Sequence, residues 1–578
     1  MEEKKRTGYP SVDKPWLKYY SEEAINAKLP ECTIYEYLYE NNKAHLNDTA
    51  LLYFDGKTTY GQLFERIGQA AKAYRRAGVQ RGDIVTLCTV TTPETVYSLY
   101  ALNLLGAASN MVDPRTGEEG IVHYLAETHT KVLVVISAAL PKTTAILDRT
   151  QVEKVIVVSP GDSMPLPVKL GYRLTQGRSD PKPPEDARYI AWKDFVGASW
   201  QDGPVAPTPY AKDAPAVIVH TGGTTGTPKG AIITDDNFNA MVVLQKYSRT
   251  RMERGHRFLD IMPPFIAYGL VCGISNPLNL GLQIIIIPKF NPAEFDKLIL
   301  KHRPNHALGV PAYFESLTKS EHMRNADLSF IENFITGGDK IAPSTETLIN
   351  DFLLAHHSKY KLHKGYGMTE LSSTATYSVC DECNLPGSVG IPLFRNNIKI
   401  VNPGTQKELP YNELGEICMT SPTMVPGYYA NEQATEETFI THGDGQRWIH
   451  TGDIGHMNGD GVLFIVDRMK RMIVRADGFK VYPSVIENTV TKHLAVAACA
   501  VVGAGEGAYS QGMVPKAFVV FKRDSGRQAD EMLAEIKDLC RRELPEYAQP
   551  ASYTVLDSLP LTPIGKIDYR ALERLANP

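Results

Sequence analysis

Short apolar runs separated by segments of helical period recur from Asp83 to Ile233, and this alternation confines the chain to an α/β architecture. Asp83 to Cys88, Lys131 to Ile136 and Val155 to Ser159 read as strands rich in β-branched and aliphatic residues. Strands of this kind set between helices imply a covered, largely parallel sheet. The helices carry their own punctuation. Thr59 and Gln62 stand at capping-box spacing, Leu63, Ile67, Ala70 and Tyr74 follow on one face, and Gly78 stops the helix. The next helix has Pro93 at its first position and Gly106 just past its end.

A chain of 578 residues exceeds the ~250–300 at which a single core stops growing, so more than one domain is expected. From Met164 to Pro209 the rhythm lapses into Pro, Gly and charge, which reads as a surface excursion because the punctuation resumes at Ala216. The boundary lies later, at the charged cluster Asp467 to Arg471. It divides a large N-terminal α/β domain, 1–467, from a small C-terminal α+β domain, 471–578. In the tail Pro483 to Lys492 and Ala529 to Glu543 read as helical, and Ala495 to Val502 and Pro515 to Phe521 as extended. Net charge of -4 excludes the basic surplus that nucleic-acid binding needs. The strongest apolar stretch, around Ile284 to Ile287, falls short of the ~18 residues of a transmembrane segment. The N-terminal Met1 to Pro10 holds no apolar run, and the 8 cysteines are scattered from Cys32 to Cys540, so a cytoplasmic protein with reduced thiols is expected.

Two segments carry chemistry. Thr221-Gly222-Gly223-Thr224-Thr225-Gly226-Thr227-Pro228-Lys229-Gly230 lies between the strands Ala216 to His220 and Ala231 to Ile233. Such a loop turns N–H groups and hydroxyls toward an anion, and Lys229 adds a point charge for phosphate oxygens. Pro228 before the lysine and Gly230 after it separate this loop from the NTPase P-loop. In Gly365-Tyr366-Gly367-Met368-Thr369-Glu370, an adenine can lie against Tyr366, Thr369 can donate to a phosphate and Glu370 can hold Mg²⁺. Taken alone, the second segment reads equally well as an ordinary loop.

Together these segments resemble the acyl-adenylate-forming (AMP-binding) superfamily: acyl-CoA synthetases, adenylation domains of nonribosomal peptide synthetases and firefly luciferase. The resemblance extends in order through Pro263-Pro264-Phe265, Tyr268-Gly269, Thr336-Gly337-Gly338, Pro386 to Gly390, Gly415-Glu416, Gly427-Tyr428, Thr451-Gly452-Asp453, Asp467-Arg468-x-Lys470, Gly478-Phe479 and Pro563-x-Gly565-Lys566. It implies that Thr221 to Lys229 hold the β- and γ-phosphates, and that Gly338, Asp339, Lys340, Tyr366 and Gly367 line the adenine. Thr369 and Glu370 would address the α-phosphate and Mg²⁺, and Asp453 and Arg468 the ribose. Lys566 would bridge the carboxylate and the α-phosphate. Lys470 would be the hinge of a mobile C-terminal domain that later presents a face near Gly478 to a thiol. Tyr268, Gly269 and Gly337 would bound the acid.

The resemblance therefore implies ATP and Mg²⁺ as cofactors, a small carboxylic acid as substrate and CoA as co-substrate. The fatty-acid CoA ligase type is favoured by the stretch from Lys14-Pro15-Trp16 to Tyr39. An alternative acceptor is the phosphopantetheine of a carrier protein, and a noncatalytic binder is disfavoured by Lys229, Glu370, Asp453 and Lys566. Small and apolar residues from Leu371 to Ala375 favour a hydrophobic acid, fatty or aryl. Three departures stand out: Ile266 where many members carry His, Arg471 where an acid is frequent, and an extra residue at Ala476-Asp477. Cys380-x-x-Cys383 has no second pair at metal-ligand spacing, and His356-His357 on a helix would point to different faces, so neither receives a role.

Overall fold

In this computed structural model, residues 6–221, 228–475, 477, 479–505, 513–522, 527–561 and 567–577 are described. Their strands form sheets of seven, nine, five, three and two strands. The seven-stranded sheet runs Tyr189–Ala191, Lys154–Val158, Val132–Ile136, Ile84–Cys88, Ala108–Met111, Pro215–Thr221, Lys229–Thr234. It is parallel except for the closing hairpin. Every residue of Val132–Ile136 is buried, as a strand covered on both faces requires.

Helix ends follow the sequence chemistry. Tyr60–Arg76 opens with a complete capping box, in which Thr59 N–H donates to Gln62 Oε1 at 3.0 Å and Gln62 N–H to Thr59 Oγ1 at 3.2 Å. Such a cap contributes about 1 kcal/mol. The face holding Leu63, Ile67, Ala70 and Tyr74 is buried, so the helix is fixed mainly by what it packs against. Pro93–Leu105 begins on its proline and ends at Gly106 in the left-handed conformation, φ 74°.

The nine-stranded sheet is ordered Ile391–Pro392, Ser373–Tyr377, His363–Met368, Asn333–Thr336, His306–Gly309, Arg257–Asp260, Gln283–Ile286, Thr49–Tyr53, Gly56–Thr59. Its central strands are parallel, and the residues just past their carboxyl ends face a cleft, the usual ligand position in open α/β sheets. The five-stranded sheet contains Asn397–Val401, Gly415–Thr420, Arg447–Met457, Phe439–Thr441 and Leu463–Arg468. After Arg468 come a 3-10 turn, Met469–Arg471, and a C-terminal unit with its own core. In that unit Pro483–Val490 and Ala529–Glu543 pack on a sheet of Val496–Gly505, Met513–Phe521 and Ser552–Val555.

Two sequence expectations change. The excursion from Met164 to Pro209 is not all surface: Tyr189–Ala191 is the edge strand of the seven-stranded sheet, and Trp192 and Phe195 are buried beneath it. Three residues are too few to register as an apolar period. His356-His357 lies past the helix Pro343–Ala355, with His357 at φ 67°, so the pair closes the helix rather than riding on it. Among the described residues no helix is long and apolar enough to cross a membrane.

Candidate active site

Thr221 and Lys229 face each other in register at the mouth of the hairpin Pro215–Thr221/Lys229–Thr234. Gly222, Gly223, Thr224, Thr225, Gly226 and Thr227 between them lie outside the described residues. A second segment runs along the hairpin. Tyr429 N–H donates to Gly230 O at 2.7 Å and Ile232 N–H to Gly427 O at 3.1 Å, seating Tyr428 beside the loop. The Lys229 Nζ stands 4.9 Å from the Tyr428 ring centroid, and the Tyr428 hydroxyl donates to Glu370 Oε1 at 2.7 Å. Burial, with the Glu370 charge beside it, holds the Tyr428 phenol well above its ordinary range, so it remains a donor. Tyr428 thus links the phosphate-type lysine to the carboxylate. In the sequence Tyr428 stands out only as part of Gly427-Tyr428, without a role; its cue is the glycine before it, where a Cβ would stand 2.6 Å from Thr435.

At the other end, the Tyr366 hydroxyl donates to Asp453 Oδ2 at 2.5 Å. Arg468 Nε reaches Asp453 Oδ1 at 2.8 Å, across a register in which the two residues are paired. Burial raises the Asp453 carboxyl, and Arg468 and Tyr366 oppose the rise. A carboxylate offers about four acceptor sites, so two protein donors leave capacity for ribose hydroxyls. Gly338 takes φ 75°, in the left-handed region, at the lip of the cleft. Asp339 accepts from Lys340 N–H at 2.8 Å. Lys340 keeps much of its surface in solvent, yet the protein around it lowers its ammonium pKa against the pull of Glu487 and Asp467. Neither Asp339 nor Lys340 lines the cavity described next.

Thr369 and Glu370 sit in a 3-10 turn, Thr369–Leu371, directly after the strand His363–Met368. That turn folds back because Gly367 carries no side chain: a Cβ there would lie 1.5 Å from Ser373 O. Gly367→Ala is therefore expected to cost roughly 3 kcal/mol, the upper range for overpacking. Gly338→Ala, with nothing nearer than Val310 at 4.0 Å, should cost only backbone strain. Thermal unfolding of both variants checks this, and equal midpoints would show that the close approach at Gly367 costs no more than the backbone strain at Gly338.

Between the two ends lies a cavity of about 180 Å³. Tyr366, Gly367, Thr369, Gly337, Gly338 and Tyr268 all line it. Ile266 supplies the apolar wall expected at that position. Deeper in, the lining is mixed: Leu308 and Ile335 are joined by Cys272, Asn276, Ser373 and Thr374. Cys272 Sγ lies 3.2 Å from Ser373 Oγ and 3.4 Å from Thr374 Oγ1, contacts a linear sequence could not show. Of the expected acid residues, Gly269 is not in the lining. It is the second residue of the π-helical segment Tyr268–Ser275, where a Cβ would meet Pro263 O at 2.0 Å, so its small size serves packing.

Beyond Arg468, Lys470 is exposed in the 3-10 turn. Arg471 ties this turn to the C-terminal unit, with Glu487 Oε1 at 2.5 Å, Asp467 Oδ1 at 3.3 Å and the Tyr569 ring centroid at 4.0 Å. This pairing accounts for an arginine where an acid is frequent: the facing side chains are already acidic. Ala476 and Gly478 lie outside the described residues, as does Lys566. The flanks of the Lys566 segment, Leu561 and Ile567, pair in an isolated antiparallel bridge. Cys380 and Cys383 have Sγ atoms 3.2 Å apart, both as free thiols.

Comparison with known proteins completes the picture. A family described as AMP-binding enzyme matches residues 38–429, and AMP-binding enzyme C-terminal domain matches 485–566. A long-chain-fatty-acid–CoA ligase of Bacillus subtilis (strain 168) is 28% identical over 564 residues, 97% of each chain. A feruloyl-CoA synthase of Amycolatopsis sp is 29% identical over 526 residues, 90% of this chain and 94% of the relative. Among solved structures, ATP-bound MatB from Rhodopseudomonas palustris superposes with a TM-score of 0.78 at 22% identity, covering 94% of this chain and 98% of that one. The anthranilate CoA ligase AuaEII with anthranoyl-AMP gives 0.77 at 20% identity, covering 95% and 98%. These two structural likenesses establish the fold.

Proposed function

The chain belongs to the AMP-binding enzyme family, and from that premise we propose that it is an acid–thiol ligase forming an acyl adenylate and then an acyl-CoA. The observation that carries this reading is the cleft itself. Lys229 and Glu370, joined through Tyr428, stand at one end and the Asp453–Arg468–Tyr366 cluster at the other, with the lined cavity beside them. Anion, ribose and acid each have a matching surface.

In the first half-reaction a carboxylate oxygen bonds to the α-phosphorus of ATP as the bond to pyrophosphate breaks. Thr221 and Lys229 hold the leaving phosphates, and Tyr366 and Gly338 flank the adenine. Asp453 and Arg468 take the ribose hydroxyls. Lys566, entering from the C-terminal domain, lowers the repulsion between two anions and stabilises charge on the transferring group. The oxygen donors at Thr369 and Glu370 suit Mg²⁺, which prefers one or two carboxylates together with substrate phosphates. When bound there, the ion would neutralise phosphate charge. In the second half-reaction the CoA thiol, as thiolate, attacks the acyl carbonyl and AMP leaves.

The domain boundary at 467–470 and rotation about Lys470 belong to this reading, because two half-reactions use two faces of the small domain on one site. Lys470→Pro, which removes an N–H and fixes φ, is expected to slow thioester formation by roughly tenfold, ~1.4 kcal/mol on the barrier, and adenylation less. Wild-type rates in both half-reactions would end the case for a hinge at this position.

For the acid, an apolar wall at Ile266 with Leu308 and Ile335 behind it supports a hydrophobic fatty or aryl acid. A pyrophosphate-release panel over fatty, aryl and amino acids tests this, and release with none of them would leave a binder that has kept the fold. Offering CoA and a holo-carrier protein to the adenylate decides the acceptor, with CoA expected to be the faster.

A further inference from the structure

We propose that Cys418, His442 and His450 form a binding site for one zinc-type divalent ion, separate from the nucleotide cleft. The three come from three places in the five-stranded sheet. Cys418 and His450 are directly opposite in the pairing of Gly415–Thr420 with Arg447–Met457, and His442 stands in the turn that follows Phe439–Thr441. Their ligand atoms all lie within 4.8 Å of one another. The two His Nε2 atoms are 2.9 Å apart. Tetrahedral zinc, with bonds of ~2.0–2.1 Å to nitrogen and ~2.3 Å to sulfur, takes this donor set after side-chain shifts of about 1 Å.

The surroundings fit a cation better than an isolated histidine pair. His450 Nδ1 donates to Glu416 Oε2 at 3.0 Å, which fixes the tautomer and leaves Nε2 as a lone pair directed at His442. A carboxylate behind a histidine in this manner is the usual support of a metal-binding imidazole. His442 is buried, and its Nε2 faces the Nε2 of His450 across the space an ion would take. Lys399, the nearby ammonium, is held at 3.0 Å by Asp444 and over the Trp448 ring. The Glu416 and Asp444 carboxylates together outweigh it, and the Cys418 thiol would release its proton to solvent on ligating the ion.

The site also has a structural purpose. Between His450 and Ile454 the strand bulges, and Gly452, at φ 67°, donates its N–H to the other oxygen of Glu416 at 3.2 Å. Asp453 is the next residue. An ion at Cys418, His442 and His450 would pin the strand just before the bulge that presents Asp453 to the nucleotide.

The test uses the full-length protein after chelator dialysis, in Mg²⁺ buffer, titrated with Zn²⁺ against a chromophoric chelator and separately with Co²⁺. One equivalent of Zn²⁺ is expected, with a thiolate-to-cobalt charge-transfer band in the near ultraviolet and a higher melting temperature. Cys418→Ser and His442→Gln should each weaken binding by at least about 100-fold, beyond the 10–100-fold that loss of a supporting partner costs. Cys380→Ser should leave stoichiometry and the cobalt band unchanged. Circular dichroism of each variant separates loss of a ligand from misfolding. The proposal is overturned if the wild type takes up no more zinc than Cys418→Ser, or if the cobalt band follows Cys380 rather than Cys418.

Discussion

Lys566→Ala is expected to slow acyl-adenylate formation by about 100- to 1000-fold, because removing one preorganised donor from a charge-developing site costs roughly 2.7–4 kcal/mol. The lysine sits in Pro563-Ile564-Gly565-Lys566, outside the described residues, between Leu561 and Ile567, which bridge at its base. A solvated surface lysine would predict something quite different: a stability change within ~0.5 kcal/mol and no change in rate. The decisive comparison is between half-reactions. Adenylation, followed as pyrophosphate release from ATP and acid, should collapse, while thioester formation from supplied acyl adenylate and CoA should persist. Equal loss in both would indicate damage to the fold or a single-conformation enzyme, and equal retention would remove Lys566 from the chemistry.

Most of the fold was legible because its signals are local. The capping box at Thr59 and Gln62, the Pro93 start and the Gly106 stop are each set by a few neighbouring residues, and all three are present in the structure. Tyr189–Ala191 was not legible, because a three-residue edge strand is fixed by its partner Lys154–Val158 rather than by its own composition. The candidate site divides along the same line. Lys229 and Glu370 are visible as residues in motifs, but the Tyr428 bridge between them depends on a segment laid against the hairpin almost 200 positions away. The mixed lining of the cavity arises likewise from contacts between Cys272 and Ser373, remote in sequence. For Gly269 the residue was noticed and its reason was not: the approach of Pro263 O is a tertiary fact.

Glu370→Gln is expected to reduce adenylation about 100-fold and to raise the Mg²⁺ concentration needed for half-maximal rate, since the change removes a charge while keeping shape. The local geometry makes the substitution clean. Glu370 is 8% exposed and accepts from the Tyr428 hydroxyl at 2.7 Å, a bond that the amide oxygen of Gln can also accept. Tyr428→Phe supplies the complementary change: it deletes the donor and leaves the carboxylate. If Glu370 serves only to position Tyr428, then Glu370→Gln should be nearly silent and Tyr428→Phe should carry the loss. If the carboxylate acts on the phosphates through a cation, the order reverses, and only Glu370→Gln shifts the Mg²⁺ dependence. The Lys229 ammonium beside the same ring sharpens the distinction, because without the Glu370 charge its field at the phosphates is no longer offset. ATP binding should then weaken less than catalysis, appearing as a fall in kcat larger than any rise in KM for ATP. A rate unchanged at limiting Mg²⁺ would exclude Glu370 from the reacting centre.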